Sequence, residues 1–567
     1  MAGQAIGPMD SADIIVVGGG SAGAVVAARL SEDRSRRVLL IEAGPDTPPG
    51  SVPEDIQNVF PASYFNRNYF WPGVGASLRR HEKPVPFPQP RVMGGGSSVG
   101  GMIALRGLPN DYDEWELMGA RGWSWSDVLP IFQAMTCDVD VPAPNRNARG
   151  LNIVHRIPRE RWPLYIRRLE QLISDQGQAS HPNIYDSSGD GFFPIPLSQD
   201  DRRATSARCY LTPEVRARPN LTIMPDTRAL RIVFTSSRAT GLLAARDRET
   251  LIIAADEIIV CAGAVNSPAL LLRSGIGPAD ELRKLGIAVV ADRPGVGRNY
   301  QNHTQLHFAM ALRAPSRMEP DAQHYIMAGL RFSSGVKGCG RGDLFHYYTG
   351  RISHKPFGRR MAMIAVALYA PFSRGAITLQ SSDPDKPLRI EQRLLSDPRD
   401  ERRMVIAARR ALNLLFSPQV RECFAEIYLM PRRAPLALIN GSGLLGLAKT
   451  IGATAVLIAP QPLRRAIVSR AITPGRVIAE DTTTYPLSDE DILNATGAMF
   501  HPSSTCAIGT SEDSMAVVDP RCRVYAVEGL RIADASVMPR IVSANTNFPT
   551  IMIGERVAEF VRSAAYT

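Results

Sequence analysis

The thirty residues from Asp13 to Glu42 constrain this chain more than any other stretch. Asp13-Ile14-Ile15-Val16-Val17 is a β-branched apolar run without polar alternation, the pattern of a strand buried on both faces of a parallel sheet. It leads into Gly18-Gly19-Gly20-Ser21-Ala22-Gly23, a helix-forming stretch Ala24 to Ser31, and a second apolar strand, Val38 to Ile41, closed by Glu42. This is a complete βαβ unit with G-x-G-x-x-G at its first turn and an acid 19 positions after the last glycine. Gly18 permits the tight turn, Gly20 lets backbone approach a pyrophosphate, and Gly23 lets helix and strand pack closely. The helix N-terminus then offers free N–H groups to an anion, and Glu42 an acceptor to a ribose hydroxyl. A dinucleotide site is the expectation.

Composition narrows the rest. The 567 residues are 44% hydrophobic and 21% charged, which suits one or two large cores and excludes a disordered or fibrous chain. The net charge of +10 comes mostly from scattered Arg, with no dense basic tract carrying interleaved aromatics. That argues against nucleic acid as a partner and leaves a moderate pull on anionic ligands or membrane surfaces. The seven Cys are widely spaced without C-x-x-C, so neither a metal site nor a disulfide framework is expected. Met1 to Asp13 lacks the basic and apolar regions of a secretory signal, and a cytoplasmic location follows as the expectation.

Farther along, Gly44 to Pro90 is Pro/Gly-rich and reads as an excursion over a surface. Strand-like runs recur at Leu221 to Met224, Leu230 to Phe234, Glu257 to Cys261 and Leu530 to Ala533. Residues 306–379 alternate like a sheet covered on one face. Ala269 to Ser274 and Thr550 to Ala564 read as helices. Asp397 to Leu415 reads as an amphipathic helix with Asp397 as N-cap and Pro398 at N1. From Ala434 to Leu463 the only charge is Lys449, with Arg432-Arg433 and Arg464-Arg465 at the flanks. Asn440, the glycines and two prolines weaken a membrane span; a buried hairpin or lid, or a peripheral membrane contact, remain as readings.

Three further motifs bring a resemblance. Arg91 to Trp115 (RVMGGGSSVGGMIALRGLPNDYDEW), Gly263 to Gly277 (GAVNSPALLLRSGIG), and the C-terminal HPSST at 501–505 with DASVMPRIVSANTNFPT at 534–550 resemble the signatures of the glucose–methanol–choline (GMC) family of FAD oxidoreductases. Within that family the chain is similar to bacterial aryl-alcohol and hydroxymethylfurfural oxidases. The resemblance implies a Rossmann-type α/β FAD domain assembled from discontinuous segments and an α+β substrate domain on a mixed sheet. Its expected boundaries are 10–305, mainly FAD-binding; 306–500 for substrate, with an apolar insertion at 434–463; and 501–567, completing the FAD domain and active site. Noncovalent FAD would lie along Gly18, Gly19, Gly20, Ser21, Gly23, Glu42 and Ala43. It would continue past Trp71, Gly95, Gly96, Ser98, Gly100, Gly101, Met102 and Ala229 to Asp534, Ala535, Asn545 and Thr546.

The resemblance also implies that His501 acts as base while hydride passes from a primary alcohol to flavin N5, with Asn545 holding the substrate oxygen. An imidazole, with an ordinary pKa of about 6.5, suits the task. A hydrated aldehyde could continue to the acid. Met102, Leu368 and Phe500 are apolar pocket candidates and favour an aryl or otherwise hydrophobic alcohol; oligomeric state is not legible. The histidines other than His501 read as structural: His303 as a turn stabiliser, with His346 and His354 as alternatives for the substrate side. Two departures from the family pattern stand out: Gly100-Gly101 where Asn is usual, and Ser504 where Gly is usual, beside Phe500 in place of Trp or Tyr. The electron acceptor is molecular oxygen or a quinone-type compound, the latter making the chain a dehydrogenase. A non-redox FAD lyase is the remoter alternative. Gly96-Ser97-Ser98-Val99-Gly100 matches the hydrolase elbow G-x-S-x-G but lacks a preceding strand, so hydrolysis is set aside.

Overall fold

Ser11–Val17 lies mid-sheet, parallel to Val38–Ile41 on one side and to Glu249–Val260 on the other. Both faces are covered, and Ile15 and Val16 have no exposed surface, which explains the unbroken apolar run. The computed structural model describes residues 11–432, 440, 443–471, 476–478 and 487–563. Leu221–Met224 extends the sheet beyond Val38–Ile41, also parallel. On the far side the long strand Glu249–Val260 serves two partners. Its first half pairs antiparallel with Arg238–Arg246, which pairs in turn with Arg228–Thr235. Its last residues, Ile258 to Val260, pair parallel with Leu530–Ile532 from the C-terminal region. The first domain is therefore closed by chain from beyond residue 500.

The C-terminal helix Asn547–Ser563 completes that closure by packing on the helix Ser21–Leu30. Arg29 donates to both carboxylate oxygens of Glu555 at 2.8 and 3.0 Å, and Ser21 Oγ donates to Asn547 Oδ1 at 2.6 Å. The helix begins at Asn547, a turn earlier than the sequence suggested, because Thr546 ends the preceding loop by accepting from Thr550 N–H and Oγ–H.

The second sheet has the order Arg476–Ile478, Phe424–Leu429, Thr304–Leu312, Met361–Leu368, Leu344–Thr349, Ile326–Phe332, Gly191–Pro194, with Gly497–Ala498 pairing on Thr304–Gln305. All its described pairings are antiparallel. The mixture of parallel and antiparallel strands expected here is found in the first sheet instead, where the Arg228–Arg246 hairpin joins a parallel core. Gly191–Pro194, from well inside the first region, forms an edge strand of the second sheet. The helix Pro398–Leu415 lies across Met361–Leu368 and Leu344–Thr349 through Ala407, Ala408, Ala411 and Leu415. Asp397 caps it as read, accepting from Arg399 N–H at 2.9 Å.

The described part of the apolar stretch lies in two helices, Gly443–Ile458 and Gln461–Ala471, packed on one another; residues 434–439 and 441–442 lie outside the described residues. Among the described residues no helix is long and apolar enough to cross a membrane.

Candidate active site

His501 is placed by two chain segments that pair 200 residues apart in sequence. Gln301 and Ser503 exchange backbone hydrogen bonds at 3.2 and 3.0 Å, and Met499 N–H donates to the His303 carbonyl at 2.9 Å. The His501 N–H donates to Asn302 Oδ1 at 2.8 Å, and Asn302 is held by Gln392 and Tyr300 beneath it. His501 is flanked by two non-glycine residues in the left-handed region, Phe500 at φ 62° and Ser504 at φ 69°. Ser504 is the position where the family pattern has glycine, so its side chain stands where a Cβ carries a cost of about 1–2 kcal/mol. Ser504→Gly should relieve that strain against a larger unfolded-state entropy, for a net gain of about 0.5–1 kcal/mol in urea unfolding. A lower midpoint would show that the Ser504 hydroxyl, 3.3 Å from Ser503 Oγ, matters more than its backbone.

The side chains around His501 fix its tautomer. Tyr369 O–H donates to Asn545 Oδ1 at 2.9 Å, which turns the Asn545 NH₂ toward His501 Nε2 at 3.2 Å. An amide NH₂ only donates, so Nε2 carries a lone pair and neutral His501 keeps its proton on Nδ1. That proton faces His303 Nδ1 at 2.9 Å, with the rings perpendicular and centroids 5.2 Å apart. His303 therefore accepts at Nδ1 and bears its own proton on Nε2. Its ring lies 4.5 Å from that of Tyr369, so Tyr369, Asn545, His501 and His303 form one closed circuit.

Burial pushes the His501 pKa down to about 3, and His303 well below the usual imidazole range, where repulsion from a charged His501 adds to burial and the Val542 carbonyl opposes both. Both rings are neutral at neutral pH. His303 is thus a partner of the base, not the turn stabiliser expected. His346 takes the structural role: it is fully buried under the helix Pro398–Leu415, its Nε2 3.0 Å from the Ala407 carbonyl. His354 packs on Phe60 at 5.5 Å, at the edge of an aromatic cluster.

The dinucleotide side is built from two glycine loops pressed together. Gly94 N–H donates to the Gly19 carbonyl at 2.7 Å, and a Cβ on Gly95 would lie 2.8 Å from the Gly20 Cα. The helices that follow, Ser21–Leu30 and Gly96–Val99, have no side-chain cap hydrogen bond, and a Cβ on Gly96 would meet open space. Such a cradle of uncapped N–H groups fits a pyrophosphate. Glu42 is buried, one carboxylate oxygen accepting from Gly19 N–H and the other from Gly44 N–H, both at 2.8 Å. Burial raises its pKa against these bonds, and each oxygen keeps a lone pair for a ribose hydroxyl. Ala43 follows it. Trp71 lies within reach of the guanidinium groups of Arg91 and Arg228, 5.6 and 5.4 Å from the ring centroid, and Ala229 follows Arg228 in its strand.

The Ser98 hydroxyl is fully buried and donates to the Met93 carbonyl at 2.7 Å, bracing the glycine loop from within. The Asp534 carboxylate ties loops together, accepting from Ser267 Oγ, Gly263 N–H and Ser536 N–H. Leu368 is fully buried in the core and has no accessible surface for a pocket; its neighbour Tyr369 makes the contact to Asn545. Phe500 is 38% exposed and belongs to an aromatic rim with Phe87 and Tyr64, at 5.6 and 6.1 Å. Met102, at φ 66°, is buried beside Gly101, above which Ile326 closes in. Beneath Gly100 lies Arg203, 1% exposed, which donates to the carbonyls of Ser97 and Gly100 and whose pKa burial lowers to about 9.

A two-sheet flavoprotein architecture, a glycine cradle and a histidine–asparagine pair between them define an FAD-dependent alcohol oxidoreductase, and similarity to known proteins agrees. The models of the GMC oxidoreductase family match residues 12–305 and 371–554. The chain belongs to the GMC oxidoreductase family. It is 35% identical to a 5-(hydroxymethyl)furfural oxidase of Methylovorus sp. strain MP688, over 98% of this chain and 99% of that one. It is 31% identical to an oxygen-dependent choline dehydrogenase of Brucella anthropi, over 97% and 95%. Among solved structures, pyridoxine 4-oxidase from Mesorbium loti superposes with a TM-score of 0.77 at 26% identity, covering 98% of this chain and all of that one. A fungal aryl-alcohol oxidase at 21% identity and a TM-score of 0.72, covering 99% of this chain and 100% of that one, shares the fold.

Proposed function

We propose that this enzyme oxidises a primary alcohol of aryl or otherwise hydrophobic character to its aldehyde, with His501 as base and Asn545 as the group that holds the substrate oxygen. The observation that carries the reading is the fixed tautomer: His501 Nε2, lone pair outward, faces an amide NH₂ 3.2 Å away. A hydroxyl inserted between them donates to Nε2 and accepts from Asn545, replacing their mutual contact. As the hydroxyl proton passes to Nε2, the carbon–hydrogen bond gives up its electron pair and the carbonyl forms. Noncovalent FAD, which the glycine loops and Glu42 would hold, would supply the acceptor for the hydrogen that leaves with that electron pair as hydride. The aromatic rim of Phe500, Tyr64 and Phe87 next to His501 supports an aryl alcohol. The hydroxymethylfurfural oxidase among the relatives supports the same class and oxygen as final acceptor.

The test is a panel of benzylic and furanic alcohols, choline and short aliphatic alcohols, under air and with an artificial acceptor, following flavin absorbance and peroxide. Benzylic or furanic alcohols should reduce the flavin at least tenfold faster than the others, releasing one peroxide per aldehyde. Flavin reduction with turnover only through the artificial acceptor would make it a dehydrogenase. No reduction by any alcohol would remove the proposal.

A further inference from the structure

We propose that the two-helix segment 443–471 is a docking face for an anionic lipid surface. These surface helices are apolar on their outer side as well as their inner one. From Ala448 to Ile458, the residues turned to solvent are Ala448, Ile451, Gly452, Ala455 and Ile458, at helical spacing along one face. On Gln461–Ala471 they include Leu463, Ala466 and Ile467. Ile451 is 63% exposed, Ile458 59% and Leu463 54%, so this small unit carries a concentration of large exposed apolar side chains.

The inner side is fixed to the protein. Leu457 and Val468 pack on a buried cluster that includes Met361, Met363, Tyr428 and Met430. Arg464 grips the fully buried Glu426 through two hydrogen bonds of 2.7 and 2.8 Å, and Lys355 Nζ donates to Thr450 at 2.8 Å. With its inner side anchored in this way, the outward stripe has no fold role to account for it.

Charge selects the occupant. The two helices carry Lys449, Arg464, Arg465 and Arg470 and no Asp or Glu; Arg464 and Arg465 face Glu426, while Lys449 and Arg470 add positive charge to the unit, in a chain whose whole net charge is +10. A second copy of the same face would set these cations against one another, whereas anionic headgroups complement them. At 16 and 11 residues the helices reach about 24 and 17 Å, short of the roughly 30 Å hydrocarbon layer, so they suit lying in an interface rather than crossing it. The face also adjoins the site. Tyr325 packs on the same buried cluster and on Phe60 at 5.3 Å, and the aromatic run continues through Phe65 and Tyr64 to Phe500.

The experiment is co-sedimentation of the holoenzyme with phosphatidylcholine vesicles, with and without phosphatidylglycerol, at low and high salt. Most of the enzyme should pellet with phosphatidylglycerol vesicles at low salt, and several-fold less at high salt or with phosphatidylcholine alone. Ile451→Asp with Ile467→Asp should weaken binding at least tenfold while flavin content and alcohol oxidation in solution stay unchanged. Lys449→Ala with Arg470→Ala, which leaves the apolar packing intact, should reduce binding and flatten its salt dependence. Wild-type enzyme remaining in the supernatant at low salt would overturn the proposal, as would variants that bind like wild type. So would a dimer in sedimentation velocity that Ile451→Asp abolishes, since the face would then be a contact between copies.

Discussion

Replacing His501 with alanine is expected to slow anaerobic flavin reduction by an alcohol by about 10²-fold or more, the usual consequence of losing a general base. FAD content should be unchanged, because the glycine loops and Glu42 that would hold the cofactor do not contact the imidazole. The loss should shrink toward high pH, where hydroxide or ionised alcohol replaces the missing acceptor. Wild type should show a different profile. Burial pushes the His501 pKa down to about 3, so the base form is present throughout the neutral range. Flavin reduction should therefore be flat from about pH 5 upward, without the decline near 6.5 that an unperturbed imidazole gives. Asn545→Ala removes one hydrogen bond to the substrate oxygen and should cost less, about 1–3 kcal/mol. His303→Ala is the more discriminating companion. It leaves Nε2 and Asn545 in place but frees the His501 Nδ1 proton, so the ring can take the other tautomer and the pH profile should change shape. Rapid reduction by the His501 variant at neutral pH would remove His501 from the base role. A nearly dead Asn545 variant beside it would mean the pair is assigned in the wrong order.

What was legible in the sequence follows from how local each signal is. The βαβ unit is spelled within thirty residues, since turn, close packing and acid are all set by neighbours. The Asp397 cap and its helix were legible for the same reason. The strand Arg238–Arg246 was not. Its hairpin turns at Asp247-Arg248, both left-handed at φ 50° and 69°, where an Asn-Gly or Asp-Gly pair would have announced it. His501 was found through a family motif, but its partners depend on long-range pairing. His303 reaches it only because residues 301–303 run antiparallel to 499–503. Tyr369 meets Asn545 across 176 positions, and nothing in the neighbourhood of either residue records that contact. Arg203 was missed because a lone Arg reads as a solvated surface residue, whereas here it is sealed under the loop at Gly100. Leu368 ends the strand Met361–Leu368 fully buried, and its apolar character alone did not tell a core position from a pocket wall.

Two glycines of the first turn should separate folding from cofactor binding. A Cβ at position 23 would lie 1.8 Å from the Gly18 carbonyl oxygen and 3.1 Å from the Cys261 Cβ. The first of these is backbone at the end of the central strand, and it has nowhere to move without breaking the strand-to-helix turn. Gly23→Ala should therefore yield insoluble or flavin-free chain, with the helix Ser21–Leu30 displaced from both the sheet and the C-terminal helix. At position 20 the protein leaves room. The nearest atoms to an added Cβ there are the Gly95 Cα at 3.9 Å and the Cys261 carbonyl oxygen at 4.0 Å, ordinary contacts on the protein's side. Only a bound pyrophosphate, drawn close to the uncapped helix N-terminus, has reason to object to that methyl group. Gly20→Ala should fold with wild-type circular dichroism yet retain FAD at least tenfold more weakly in a dilution or dialysis assay. Equal loss of fold in both variants would mean the second glycine serves packing alone. Full FAD retention by Gly20→Ala would place the pyrophosphate away from this turn.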